Sequence, residues 1–278
     1  MATATPTIDQ ADFAFIRKFV YEQSAIALEP EKTYLVESRL GPIARQSGLH
    51  DLSGLVAHLR SRPAGELHAK VVEAMTTNET SFFRDAHPFE ALRSDILPKL
   101  IQSRQSQRTL NIWSAASSSG QEAYTVVMLL REHFPELASW KISVIGTDLS
   151  QQMVERAQAG VYSQLEVNRG LPASLLKHFQ RTGLQWQLSD EIRKSVKFMR
   201  MNLARSWLAL PTMDIIFMRN VLIYFVLETK RQIFARVRRQ LAPDGSLLLG
   251  GAETTLGVDE NFERVNHGKT SSYRLRRV

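Results

Sequence analysis

The sequence predicts an α/β protein with a doubly wound, mostly parallel sheet, a small β insertion and an all-α N-terminal domain. Three observations predict it. Residues 8 to 75 carry apolar side chains at helical spacing and show no strand pattern. From Leu110 onward, short apolar runs alternate with helical patterns, as parallel strands with helical crossovers do. Asn111 to Asp148 reads strand, small-residue turn, helix, strand, acid, which is the order of a nucleotide-binding βαβ unit. The expected domains are a helical domain at 1–76, a linker and connecting helix at 77–109, and the α/β domain at 110–278 with its insertion at 160–195.

In the helical part, Phe13, Ile16, Phe19 and Val20 mark a first helix. Tyr34, Leu35 and Leu40 mark a second, which Gly41-Pro42 is expected to interrupt or kink. Leu52, Leu55, Val56 and Leu59 mark a third, capped by Asp51 or Ser53, and Glu66 to Met75 a fourth after the break at 60–65. The expected core strands are Leu110–Ala115, Ile142–Asp148, Val196–Met201, Met213–Met218 and Ser246–Gly250. One helix runs from Gln121 to Arg131, and another from Leu227 to Leu241 stops at Pro243-Asp244-Gly245. Glu263–Val265 and Ser271–Leu275 form a closing hairpin around His267-Gly268. In the insertion, Leu175, Leu176 and Phe179 suggest a short helix. A hairpin is expected to pair Leu184–Leu188 with the residues from Ile192 onward across Ser189-Asp190-Glu191.

Composition narrows the function classes. With no cysteine the chain has no disulfide, thiolate zinc site or cysteine nucleophile, which suits a reducing cytoplasm. No run approaches the ~18 apolar residues of a membrane span, and Met1–Pro6 lacks the pattern of a secretion signal. The seven histidines show no metal-ligand spacing, so no metal is expected; His87 and His267 read as capping or loop residues. A net charge of +7 suggests an anionic partner but no long basic run is present. Arg236–Arg239 reads as a helix end, and Arg274–Arg277 as an alternating edge strand.

The turn at Ala116–Gly120 holds one glycine, and Ser117, Ser118 and Ser119 would crowd a pyrophosphate. Glu122, just inside the helix, repels phosphate and suits a cation, unless it only complements the helix dipole. Asp148 can accept hydrogen bonds from a ribose. S-adenosylmethionine fits: a ribose, a sulfonium, an amino group and no phosphate. Asp148, Asn202 and Asn220 each follow a strand end and are expected on one rim.

The stretch Thr76-Thr77-Asn78-Glu79-Thr80-Ser81-Phe82-Phe83-Arg84-Asp85 joins the two parts. As a plain linker, a polar cap followed by an apolar anchor explains the phenylalanines but does not require Arg84. It resembles the Asn-x-Thr-x-Phe-Phe-Arg motif of the CheR-type chemotaxis receptor glutamate O-methyltransferases. Trp113–Tyr124, Gly146-Thr147-Asp148, Asn168–Pro172, Asn202-Leu203 and Arg219–Phe225 extend the resemblance in the family's order.

The resemblance implies a Rossmann-like, S-adenosylmethionine-dependent methyltransferase core with an inserted β-subdomain, yielding S-adenosylhomocysteine. It implies cofactor contacts from Asn78, Thr80, Arg84, Glu122, Asp148, Asn202, Leu203, Arg219 and Asn220, with Arg84 and Tyr224 near the transferred methyl group. It implies a cytoplasmic enzyme acting on chemoreceptor cytoplasmic helices for sensory adaptation, with a regulatory adaptor left open. Lys32, Arg39 and Arg45 are read as one basic face for an acidic receptor helix, against the alternative of a solvated face. Ala123 and Gln121 stand where many members have proline and glutamate, with little effect expected. The loop Gly183–Glu191 looks shorter than in members that tether to a receptor's C-terminal pentapeptide, so tethering is not expected, and Val278 leaves no appended module. The rival readings are an RNA or tRNA methyltransferase, disfavoured because no basic run is interleaved with aromatics, and a non-catalytic adenosine-ligand scaffold, disfavoured because Arg84 and Tyr224 are both present.

Overall fold

The four helical signals upstream of residue 76 are all realised. The structure, a computed structural model, describes residues 8–276; the expectations on Met1–Pro6 and on Arg277 and Val278 lie outside it. The chain divides into two units. One runs to Thr77 and takes in Tyr224–Val226; the other holds Asn78–Ile223 and the residues from Leu227.

In the first unit, α1 (Gln10–Ser24) is capped by Asp9, whose side chain accepts from Asp12 N, and buries Phe13, Ile16 and Val20. The next helix, α2 (Thr33–Gln46), continues through Gly41-Pro42, so that pair does not interrupt it; one ladder hydrogen bond is lost at Pro42. Asp51, rather than Ser53, caps α3 (Leu52–Ser61) by accepting from Gly54 N. Ser53 instead donates to Asp12 at 2.7 Å and ties α3 to α1. The fourth helix is α4 (Glu66–Ala74). Phe225 forms an isolated antiparallel bridge with Ile26, and Ala27 N donates to Tyr224 O at 3.0 Å, which places that short segment with the helices.

The second unit opens with α5 (His87–Ala91), a π turn at Leu92–Ile96 and α6 (Leu97–Ser103). Strand β1 (Thr109–Ala115) leads to α7 (Gln121–His133), β2 (Lys141–Asp148) and α8 (Gln151–Ala159). The insertion holds β3 (Val161–Ser163), α9 (Gln164–Asn168), a 3-10 turn at Ala173–His178, β4 (Phe179–Thr182), β5 (Gln185–Leu188) and α10 (Asp190–Arg193). Then come β6 (Val196–Arg200), β7 (Met213–Met218), α11 (Leu227–Gln240), β8 (Leu241–Leu249), β9 (Phe262–His267) and β10 (Thr270–Leu275). The main sheet has the order β6-β2-β1-β7-β8-β10-β9. Strands β6, β2, β1, β7 and β8 are parallel, and β10 is antiparallel to both neighbours. β7 is buried at every position, as a strand covered on both faces must be. Its one acid, Asp214, is satisfied by Arg104 at 2.9 Å and by Asn111 N at 2.8 Å.

Four expectations are corrected. The Pro243-Asp244-Gly245 turn is not a helix stop before a later strand: β8 starts at Leu241, and its register jumps from Met213↔Leu241 to Ile215↔Ser246. The three residues bulge out, and Arg104 holds Asp244 at 2.6 and 2.8 Å. The insertion hairpin pairs β5 with β4, across Gly183-Leu184, not with the residues after Ile192. Those begin in α10, where Asp190 sits in the first turn and pairs with Arg193 and Lys194. β10 is an inner strand and β9 the edge, so Arg274, although exposed, pairs across the ladder with Glu263. His267 ends a strand, its Nδ1 lying 2.7 Å from Asp95 and its Nε2 2.8 Å from Ser272 Oγ; His87 does sit at a helix start, facing Glu90.

Candidate active site

The carboxyl ends of β2, β1 and β7 form a rim, with the segment after β6 beside β2. Between β1 and α7 the chain turns through Ala116 (φ 56°), Ser118 (φ 48°) and Gly120 (φ 93°). Three left-handed residues in five bring the backbone amides inward. For Ala116 and Ser118 this costs roughly 1–2 kcal/mol each. The surroundings offset it. Ser117 N donates to Thr147 O at 2.8 Å, and Ser118 N to Asp148 Oδ2 at 2.8 Å. Tyr162, from the inserted sheet, donates to Ser119 O at 2.7 Å, and Tyr124 to Ala157 O at 2.6 Å. Burial pushes both phenols far above their ordinary range, so they act as fixed donors. Gly120 is needed for its positive φ and because a methyl there would lie 2.9 Å from the Phe198 ring. Gly146 meets the same ring: an added methyl would overlap Phe198 and stand 3.1 Å from Ser117 Oγ.

Asp148 ends β2 and is 7% exposed. Its second oxygen accepts from Ser150 N at 2.9 Å, so the acid locks the turn while standing on the rim. Glu122 is not the isolated anion the sequence suggests. Ser114 donates to one oxygen at 2.8 Å, and Arg219 reaches the other at 3.0 Å. The Arg219 side chain is 1% exposed; it also binds Asp85 at 2.8 Å and Arg84 O at 2.9 Å and lies over the Phe89 ring at 5.6 Å. One guanidinium therefore ties the end of β7, the start of α7 and the 78–85 segment together.

That segment is anchored by its aromatic pair. Phe82 is fully buried, edge-on to Tyr162 at 5.0 Å and to Phe179 at 5.6 Å. Phe83 N donates to Thr125 Oγ1 at 3.2 Å, and its ring meets Phe89 at 5.5 Å. The anchoring holds Asn78, whose carbonyl accepts from Ser118 Oγ at 2.8 Å, beside the turn. Thr80 and Arg84 are half-buried, and Arg84 donates to Glu79 O at 2.8 Å. Asn202 closes a turn by accepting from Ala204 N at 2.9 Å. The Leu203 carbonyl accepts from Trp207 Nε1 and Arg236, both at 3.0 Å, and Trp207 meets Trp113 at 4.8 Å. Asn220 is left-handed at φ 57°, and its amide donates to Glu253 at 2.8 Å. Sequence reasoning missed Glu253; the signal was Gly250-Gly251-Ala252-Glu253 directly after the last parallel strand.

In the second unit Asn78 and Asp148 share Ser118 as a partner, Glu122 pairs directly with Arg219, which also binds the Arg84 carbonyl, and Asn220 follows Arg219 in the chain and bonds Glu253. Thr80, Asn202 and Leu203 belong to the second unit as well, whereas Lys32, Arg39, Arg45 and Tyr224 belong to the first. Tyr224 sits in the segment that bridges to Ile26. Lys32 precedes α2 and pairs with Glu29 at 2.8 Å, whose carboxylate raises its pKa. Arg39 does not present its charge outward alone: it donates to the carbonyls of Met75 (3.2 Å) and Thr76 (3.0 Å) past the end of α4. Arg45 is exposed but lies about 120° around α2 from Arg39, so the three cations do not share one face.

The donor set fits S-adenosylmethionine. Asp148 suits a diol, the asparagine side chains suit an amine-bearing ligand, and the turn between β1 and α7 carries serines in place of a phosphate cradle. Among the described residues no group of side chains is arranged to hold a metal ion, and no helix is long and apolar enough to cross a membrane.

Comparison with known proteins agrees. Residues 78–270 match the family described as CheR methyltransferase, SAM binding domain, and residues 11–76 match the CheR methyltransferase all-alpha domain. A chemotaxis protein methyltransferase 1 of Pseudomonas aeruginosa is 40% identical over 271 residues, covering 96% of this chain and 98% of the relative. A chemotaxis protein methyltransferase of Vibrio parahaemolyticus is 38% identical over 275 residues, covering 97% and 98%.

Proposed function

Since this chain belongs to the CheR methyltransferase family and uses S-adenosylmethionine, we propose that it esterifies glutamate side chains on the cytoplasmic helices of chemoreceptors. The observation that carries the reading is the rim where Asp148 and Glu122 are held by backbone and Arg219 beside the 78–85 segment. S-adenosylmethionine supplies an electrophilic methyl on a sulfonium; its transfer breaks the S–CH3 bond, forms O–CH3 on the carboxylate and leaves S-adenosylhomocysteine.

A glutamate with an ordinary pKa of ~4.3 is already the nucleophile at neutral pH, so the protein needs no general base. Its work is alignment and exclusion of water. Asp148 takes the ribose hydroxyls, and Asn78, Thr80, Glu122, Asn202, Leu203, Arg219 and Asn220 complete the cofactor contacts. Arg84 spends one of its five N–H donors on Glu79 O, which leaves its fork to orient a carboxylate. Tyr224 hydrogen-bonds the attacking oxygen. Arg45, exposed on α2, meets the acidic receptor helix. The two-residue turn Gly183-Leu184 supports the reading that this protein works without a pentapeptide tether. The setting is the cytoplasm, where receptor helices are accessible.

The test is transfer of labelled methyl from S-adenosylmethionine to purified receptor, followed by base-labile release as methanol. Tyr224→Phe should lower kcat while leaving S-adenosylhomocysteine affinity in place, because a contact made mainly in the transition state appears in kcat. Label that survives base would refute the ester, and lost cofactor affinity with normal turnover would refute the role of Tyr224.

A further inference from the structure

Glu253 stands at the turn after β8 and is 9% exposed. All the hydrogen-bond partners of its carboxylate are backbone amides. Oε2 accepts from Asn220 N at 2.8 Å and Gly250 N at 2.7 Å. Oε1 accepts from Leu222 N at 2.7 Å, Val221 N at 2.9 Å and, more weakly, Ile223 N at 3.4 Å. Four consecutive amides, 220 to 223, thus point at one carboxylate, a concave arrangement that an anion satisfies and a neutral group does not. The approach depends on Gly250, where a methyl would lie 2.8 Å from Glu253 Oε2 and 2.9 Å from Asn220 N.

We propose that Glu253 is a positioning residue for cofactor binding: its carboxylate holds Asn220 in its left-handed conformation and so aims the Asn220 side chain at the ligand rim. Asn is among the few residues other than glycine that visit the αL region routinely, and a fixed partner for its backbone N–H selects that conformation over the alternatives. Glu253 provides it from a different strand end, linking the turns after β7 and β8. The inference rests on the reading of Asn220 as a cofactor contact.

Isothermal titration of S-adenosylhomocysteine into the full-length protein tests it, with thermal unfolding measured alongside. Glu253→Gln keeps the size but offers one acceptor oxygen and turns an NH2 group toward amide donors. It should weaken affinity about ten-fold or more, which is ~1.4 kcal/mol. Asn220→Ala should weaken it similarly, and the double variant should bind no worse than the weaker single one, since both act through one contact. Glu253→Asp, which keeps two acceptors, should recover part of the loss. If Glu253→Gln lowers only the melting temperature while Asn220→Ala weakens binding, Glu253 merely supports the fold and the proposal is overturned. Additive losses overturn it as well. If Asn220→Ala leaves affinity unchanged, the reading of Asn220 itself fails and takes the proposal with it. Should Glu253→Gln not fold, Gly250→Ala crowds the same carboxylate and replaces it in the titration: weakened affinity supports the proposal, and a lowered melting temperature with unchanged affinity overturns it.

Discussion

Replacing Arg219 by methionine should destabilise the second unit by about 3 kcal/mol, the lower end of the cost of breaking a buried ion pair by removing one partner. The lower end applies because the Glu122 side chain keeps 12% exposure and still receives Ser114 at 2.8 Å. Asp85 adds little, being 56% exposed, where an ion pair is screened by water. All four tryptophans, Trp113, Trp140, Trp186 and Trp207, lie in the second unit, so urea unfolding followed by tryptophan fluorescence reads that unit without the helical one. For a unit of this size each kcal/mol shifts the melting temperature by about 2–4 °C, so the expected drop is about 6–12 °C. Arg219→Met combined with Glu122→Gln removes both charges and should lose clearly less than the single variant. A single variant costing under ~1 kcal/mol, or a double variant no better than the single, would refute the view that Arg219 neutralises Glu122.

Other expectations follow from the same geometry. Asp148→Asn should cut S-adenosylhomocysteine affinity about ten-fold or more in calorimetry, since one of the two amides it serves must face an NH2 group and a ribose acceptor is lost. Gly146→Ala should cost about 1–3 kcal/mol in urea unfolding through overlap with Phe198, and adding Phe198→Leu should restore part of it. Arg104 beside Asp244 holds its carboxyl below the usual range. The stability this lends is therefore present above the unfolded value of ~3.9 and is lost as pH falls through the folded one. Asp244→Asn should thus lower the urea midpoint at pH 7 by an amount that shrinks as the pH is taken below ~4. Arg45→Glu should raise the apparent KM for receptor, an effect that salt diminishes, and leave cofactor affinity alone; receptor kinetics unchanged at low salt would count against α2 as the docking helix.

What the sequence made legible was local. β7 was delimited correctly because its residues other than Asp214 are apolar, and the cap of α3 was narrowed to Asp51 or Ser53 by the periodic run they adjoin. Most of the errors come from long-range partners invisible along the chain. Pro243-Asp244-Gly245 has the composition of a turn, yet Arg104, 140 residues away, stabilises it as a bulge within β8. β4 was missed because only Phe179 of its four residues is buried, so it carries no alternating signal. On the rim, the placement of Asp148 at the end of a strand and of Glu122 at a helix start was readable. The pairing of Glu122 with Arg219, 97 residues on, was not. Nor was the capture of Arg39 by the carbonyls at the end of α4, which makes charge reversal there a test of folding rather than of recognition.

The placement of β10 between β8 and β9 has a consequence for biosynthesis. β8 closes the parallel run, and its outer edge is paired only by residues near the end of the chain. While the ribosome is still adding them, an edge containing Leu247, Leu248 and Leu249 stands open, the kind of surface that recruits strands from neighbouring nascent chains. A gene interrupted before Thr270 should therefore yield a product that aggregates although every proposed site residue has been made. In expression trials its recovery should respond to chaperone supply far more than to added S-adenosylmethionine.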